Sequence, residues 1–178
     1  QKALIENYDV LTSAETALAK IENNTKAADD VEAMISAIGT VTTESKSAIE
    51  KARAAYDALT DEQKALVENY KVLTSAESAL AKIENDIKAA DDVEAMISAI
   101  GTVTAESKDA IEEARAAYDA LTDEQKALVE NYETLTSAET TYSELTAEKE
   151  LSFFEKLINW IVNAFNWIIT LFKNIFSF

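Results

Sequence analysis

Apolar side chains recur along this chain at the three- and four-residue spacing that marks one face of an α-helix. The stretch Asp91–Ile100 shows the pattern, and we predict a first helix there. Its two leading carboxylates suit a helix N-terminus, and Gly101 suits the left-handed position that often ends a helix. The predicted inner face consists of Val93, Met96, Ile97 and Ile100.

The same spacing predicts two more helices after Gly101. The second runs from about Ala105 to Leu121 with Thr104 as its N-cap, and its inward residues are Ile111, Ala114, Tyr118 and Leu121. The third begins at Asp123, because Thr122 and Gln125 have the spacing of a capping box. Its inner face is formed by Leu128, Tyr132, Leu135 and Ala138.

This pattern is repeated along the chain. Residues 3–64 and 65–126 are identical at 54 of 62 positions, and a third copy starts at Ala127 and fades after Thr141. We therefore predict an all-α fold of tandem three-helix bundles with a 62-residue period, followed by a long hydrophobic, amphipathic C-terminal helix. The predicted domains are residues 1–28 (the third helix of a truncated repeat), 29–90, 91–150 and 151–178.

Two features of the chain's organisation stay open at this stage. The third helix of one repeat either runs on into the next repeat or breaks near Ala89 and Ala90, and the pattern favours neither. Gln1 aligns with Gln63 and Gln125, in the middle of a predicted element. We therefore expect the chain to be the C-terminal part of a longer, processed or truncated protein.

Composition narrows the function. The chain has no His, Cys or Pro, only two Gly, and a net charge of −17. Lack of His removes the commonest general base, and the acidic balance argues against nucleic acid, which needs a basic face. We expect a protein that is not an enzyme and binds no cofactor or metal.

The repeat resembles a known kind of module. The segment AIGTVTAESKDAIEEARAAYDALTDEQKALVENYETLTSAE is similar to three-helix repeats of surface and secreted proteins from Gram-positive bacteria, especially clostridial and gut species. The resemblance covers nearly all of residues 1–145 and leaves the C-terminal segment outside. It implies an extracellular spacer or stalk, located at the bacterial surface or secreted, with no catalytic residues to transfer.

Two charged features of the repeat have structural interpretations. The acidic pairs at 29–30, 61–62, 91–92 and 123–124 each open a predicted helix, so helix capping is favoured over Ca²⁺ binding. The only Arg residues, Arg53 and Arg115, each lie one turn from a Tyr. We expect each Arg to form an ion pair or a cation–π contact between helices.

Residues 151–178, here called the tail, differ from the rest. The tail contains all six Phe and both Trp residues of the chain, and its charge is +1 against −18 for residues 1–150. One stripe of the predicted helix is polar: Asn159, Asn163, Asn166, Thr170, Lys173 and Ser177. The other side is apolar and is predicted to make the contacts: Phe153, Phe154, Leu157, Ile158, Trp160, Ile161, Phe165, Trp167, Ile168, Leu171, Phe172, Ile175 and Phe176.

Such a helix exposes more apolar surface than a soluble monomer tolerates. Four alternative arrangements would cover this surface. Copies pack tail to tail, which the seven-residue repeat of the tail favours because regular helix packing needs a constant seam. The tail lies in a membrane interface as an anchor. Several tails span a bilayer with the polar stripe lining a pore. Finally, the tail folds back on its own repeats, which their polar surfaces disfavour.

We therefore predict a non-enzymatic, extracellular bacterial structural protein. Its helical repeats form an acidic spacer, and its tail drives assembly into a homo-oligomer, as a ring, bundle or filament. The alternatives are a membrane-anchored stalk and a pore-forming protein. The expected partners are other copies of the chain or a membrane, and not nucleic acid.

Overall fold

The computed structural model describes residues 7–176, with side chains described as far as Phe172. All secondary structure in this range is helical, which confirms the predicted all-α class. The chain divides into two compact units, Gln1–Asn85 and Asp86–Phe178.

Unit 1 contains α1 (Tyr8–Ser36), a 3₁₀ turn (Thr43–Ser45), α2 (Lys46–Asp57), α3 (Asp61–Lys64) and the first part of α4 (Tyr70–Ala99). Its core lies between the C-terminal half of α1, α2 and the start of α4. The buried residues of this core are Ala28, Val31, Ile35, Ile38, Ile49, Ala52, Val67, Leu73, Ala76 and Leu80.

Unit 2 contains the remainder of α4, α5 (Lys108–Ala120), α6 (Asp123–Lys126) and α7 (Tyr132–Phe176). Its core again lies between three helices. The buried residues are Ala90, Val93, Ile97, Ile100, Ile111, Ala114, Val129, Leu135 and Ala138.

Helix α4 is continuous through Ala89 and Ala90, which decides the question that the sequence leaves open. Asp91 and Asp92 therefore lie inside a helix, and the prediction that they open one is wrong. Alanine is the strongest helix former, and Lys88 pairs with Asp92 one turn later at 2.6 Å, so nothing in this stretch stops the helix. Asp29 and Asp30 lie inside α1 in the same way.

The predicted third helix is interrupted after its first turn. Thr122 and Gln125 form the expected capping box at the start of α6, but α6 ends at Lys126 and α7 begins at Tyr132. The Glu94 carboxylate accepts a hydrogen bond from the Glu130 backbone N–H, which holds the intervening loop.

This interruption changes which residue enters the core. Val129 is buried, whereas Leu128, predicted to face inward, is exposed. The prediction failed because it continued the spacing of a single helix across the loop between α6 and α7. The side chain of Asn131 donates to the Glu94 carbonyl at 2.9 Å and fixes the new phase at the start of α7.

Glycine occupies the two positions where the chain leaves the long helices. Gly39 and Gly101 have φ of +62° and +57°, which confirms the predicted left-handed role of Gly101. The following helix, α5, starts at Lys108, later than expected. A turn precedes it, in which the Thr104 backbone N–H donates to the Ser107 hydroxyl.

One residue of the predicted inner face of the first helix is not buried. Met96 was predicted to face inward and is 39% exposed.

Candidate functional site

Helix α7 starts as part of a core and continues as an exposed helix. Leu135 and Ala138 are buried in unit 2, and Tyr142 packs against the same core. Leu145 and Thr146 are half-buried, and from Ala147 to Phe172 every residue except Ala164 is exposed. The described part of the tail therefore lies outside the unit 2 core.

The predicted contact residues are held on this exposed helix. Those with described side chains range in exposed fraction from 37% at Leu157 to 68% at Trp160. Phe153 and Phe154 touch edge to face, with ring centroids 6.0 Å apart. The side chains of Ile175 and Phe176 lie outside the described residues.

Three further exposed apolar residues belong to this surface and were not predicted: Leu151, Val162 and Ile169. The seven-residue repeat contains the signal for two of them, because Val162 and Ile169 occupy equivalent positions in it. With these residues included, the apolar arc spans about 220° at about 100° per residue.

The polar stripe lies on the remaining side of the helix and spans about 80° at about 100° per residue. Asn159, Asn163, Asn166 and Thr170 are exposed on it. The Thr170 hydroxyl donates to the Asn166 carbonyl at 2.8 Å, so this hydroxyl is satisfied within its own helix. The Lys173 side chain and Ser177 lie outside the described residues.

The two Arg residues connect helices inside their own units. Arg115 donates two hydrogen bonds to the Glu139 carboxylate, at 2.6 and 2.7 Å, and its guanidinium carbon lies 5.3 Å from the centre of the Tyr132 ring. Arg53 makes the equivalent contacts with Glu77 and Tyr70. This confirms the predicted ion pairs and cation–π contacts, and it gives the Arg residues a role in packing.

These hydrogen bonds change the acidity of the glutamates. The bond from Arg53 lowers the pKa of Glu77 below its usual value, against a smaller opposing effect of burial. The bond from Arg115 lowers the pKa of Glu139 in the same way. Both carboxylates are therefore charged partners of an Arg and are poorly suited to accept a proton at neutral pH.

Among the residues that the structure describes, no helix combines the length and the mean hydropathy required to cross a membrane. Comparisons with models of protein families, with curated proteins and with solved structures give no match to this chain.

Proposed function

We propose that this chain is a non-enzymatic structural protein that assembles into homo-oligomers through its tail. The supporting observation is the exposure of the apolar residues of α7, which lie outside the core of their own unit. Burying apolar surface contributes about 25 cal/mol per Å², and each aromatic side chain offers about 150–250 Å². The aromatic residues of the tail therefore supply a large driving force for association.

The width of the apolar arc indicates how many neighbours each tail needs. A helix that contacts a single partner needs only a narrow apolar seam. An arc of about 220° is too wide to be covered by one neighbouring helix. We propose that each tail packs against at least two others, with the polar stripe left outside or facing a central channel.

The body (residues 1–150) is proposed to be an acidic spacer built from tandem 62-residue, three-helix modules. Each of the nine buried residues of the unit 2 core has an identical buried residue 62 positions earlier in unit 1, from Ala28 and Ala90 to Ala76 and Ala138. The charge of −18 on the body opposes close approach of bodies and favours assemblies in which they stay outside. The resemblance of the repeat to bacterial surface modules supports an extracellular location.

Deleting residues 152–178 tests this proposal. We expect the truncated chain to be monomeric and highly helical, and the intact chain to form regular particles in detergent-free buffer. Sedimentation velocity and negative-stain electron microscopy measure both. Oligomers that persist after the deletion would place the contact in the repeats and refute a role for the tail.

Membrane attachment is a second candidate, and the positions of the tryptophans favour it. Trp160 and Trp167 lie where the apolar arc meets the polar stripe, and both are exposed. Tryptophan prefers this boundary in helices that lie at a membrane interface. Co-flotation with liposomes without leakage supports an anchor, and release of an entrapped dye supports a pore.

A further inference from the structure

The N-terminal half of α1 carries a second apolar surface, distinct from the tail. Leu11, Leu18 and Ile21 lie on this half of the helix and are 55%, 56% and 62% exposed. They belong to unit 1, but the core of that unit begins only at Ala28. We call this surface the α1 face, and it consists of Leu11, Ala14, Glu15, Leu18 and Ile21.

Equivalent surfaces occur twice more in the molecule, and there they are covered. The copy on α4 has the same five residues, and the copy on α7 has Tyr142 and Leu145 in place of Leu18 and Ile21. Leu73 and Leu135 are the residues equivalent to Leu11, and both are completely buried. Ala76 and Ala138, equivalent to Ala14, are 5% exposed. Each covered copy packs against a pair of helices: α1 and α2 in unit 1, and α4 and α5 in unit 2.

Each covered surface also forms an Arg–Glu pair, and the α1 face carries the equivalent glutamate, Glu15. Glu77 and Glu139 receive two hydrogen bonds from an Arg of the covering helices. Glu15 is the equivalent residue and is exposed. The α1 face thus combines the apolar residues and the carboxylate that bind a helix pair elsewhere in this chain.

We infer that the α1 face is a docking surface for a further helix pair of the same repeat. The partner is a segment with the residue pattern of 29–57, including an Arg equivalent to Arg53. Its helices would bury Leu11 and Leu18, and its guanidinium would pair with Glu15. This inference concerns α1 only and does not depend on the proposed role of the tail.

The inference is tested by supplying such a pair. Gln1 and Lys2 repeat Gln63 and Lys64, so a copy of residues 24–62 joined directly before Gln1 reproduces a native junction on the full chain. We expect amide hydrogen exchange at residues 11–21 to become roughly tenfold slower or more, as local opening becomes costlier. Exchange that is unchanged by the added pair would overturn the inference.

Matched variants of the extended chain separate docking from general effects. Leu11→Asp should abolish the added protection, since its equivalent Leu73 is completely buried in the covered copy. Val10→Asp introduces the same charge beside the face and should leave protection intact, since its equivalent Val72 is 52% exposed even in the covered copy. An equal loss of protection in both variants would contradict docking through the residues of the α1 face. Exchange at the buried core of unit 1, around Ile35 and Ile49, reports whether each variant is folded.

A charge exchange tests the polar contact of the docking surface. Glu15→Arg in the extended chain should reduce protection, and replacing the Arg of the added pair by Glu should restore it. Failure to restore it would show that no such pair forms.

The chain without the extension tests a second copy as the partner. If protection of residues 11–21 in that chain rises with protein concentration, the face binds a second copy, and the partner inferred here is overturned.

Discussion

The guanidinium group of Arg53 donates two hydrogen bonds to the carboxylate of Glu77, both at 2.6 Å. This contact ties α2 to α4, and the Tyr56 and Tyr70 rings stack beside it with centroids 4.3 Å apart. Arg115 and Glu139 repeat the arrangement in unit 2. The side chains of Arg53 and Glu77 are only 27% and 32% exposed, so the pair is more shielded from solvent than Lys46 and Glu84, whose side chains are 55% and 46% exposed.

Arg53→Met should therefore destabilise unit 1. A hydrogen bond to a charged group contributes about 1.5–3 kcal/mol to stability. The substitution removes both bonds and leaves the partly buried Glu77 carboxylate without its Arg partner. We expect a loss of about 1–3 kcal/mol in unfolding free energy, measured by urea denaturation. Lys51→Met is the matched control, since it removes a charge from an exposed position of the same helix. A similar loss in both variants would argue against the pair.

The same pairs should make stability fall in acid. The pKa values of Glu77 and Glu139 are lowered in the folded state by their Arg partners. Their contribution is therefore present above the unfolded glutamate pKa, about 4.3, and is lost as the pH falls through the lower folded value.

Urea midpoints measured between neutral pH and about pH 3 check this, because the window spans the unfolded glutamate pKa. The intact chain should lose more stability on acidification than the double variant Glu77→Gln, Glu139→Gln. The comparison is needed because protonating the other carboxylates relieves repulsion in both proteins. Parallel curves for the two proteins would refute the linkage.

Ile161→Asp with Ile168→Asp should abolish assembly. Both residues lie near the middle of the apolar arc, where a charge would be buried by neighbouring tails. Asn159→Asp with Asn166→Asp adds the same two charges to the polar stripe and should leave the oligomer in place. Sedimentation velocity distinguishes the outcomes. An unchanged particle size in the isoleucine variant would show that Ile161 and Ile168 face solvent in the oligomer.

Salt should strengthen assembly if the bodies repel one another. The screening length falls from about 30 Å at 0.01 M ionic strength to about 3 Å at about 1 M. The body carries a charge of −18, so we expect the dissociation concentration of the oligomer to fall as salt rises. A dissociation concentration that rises with salt would mean that attractive charge pairs hold the assembly together.

Gly101→Ala should destabilise unit 2 through the backbone alone. A Cβ at this position meets nothing within 4 Å, but φ is +57°. The left-handed conformation costs a residue with a Cβ about 1–2 kcal/mol, and Gly101→Asn should cost less because Asn tolerates this region. Urea denaturation of both variants measures the difference. Equal stability of the Ala variant and the parent would contradict the assignment.

The sequence was most informative where a single local rule applies. Gly101 and the Thr122–Gln125 capping box were predicted correctly, because each depends on backbone geometry within a few residues. The prediction for Arg115 also held, although it involves a glutamate on a different helix. There, the sequence predicted the kind of contact, an ion pair or cation–π contact between helices, and the structure identifies Glu139 on α7 as the partner.

Predictions failed where a long-range contact decides the local structure. Nothing near Leu128 shows that the helix stops there, since the loop is held by Glu94 on α4. Asp91 has the composition of a helix start, yet α4 continues through it because its neighbours are good helix formers. For the tail, the sequence predicted which residues form the apolar side, and these residues are exposed on α7. In the proposed assembly the contacts that cover them come from other copies of the chain, which a single sequence does not show.

Helix α7 joins Ala138 in the unit 2 core to Phe153 in the tail without a break. Each residue of a helix turns the chain by about 100°, so the number of residues between these two sets the azimuth of the apolar arc relative to the core. Removing one residue would rotate the arc by about 100°, whereas removing a full heptad would rotate it by only about 20°. The length of this stretch, as much as its composition, therefore determines the direction from which a neighbour would approach in the proposed assembly.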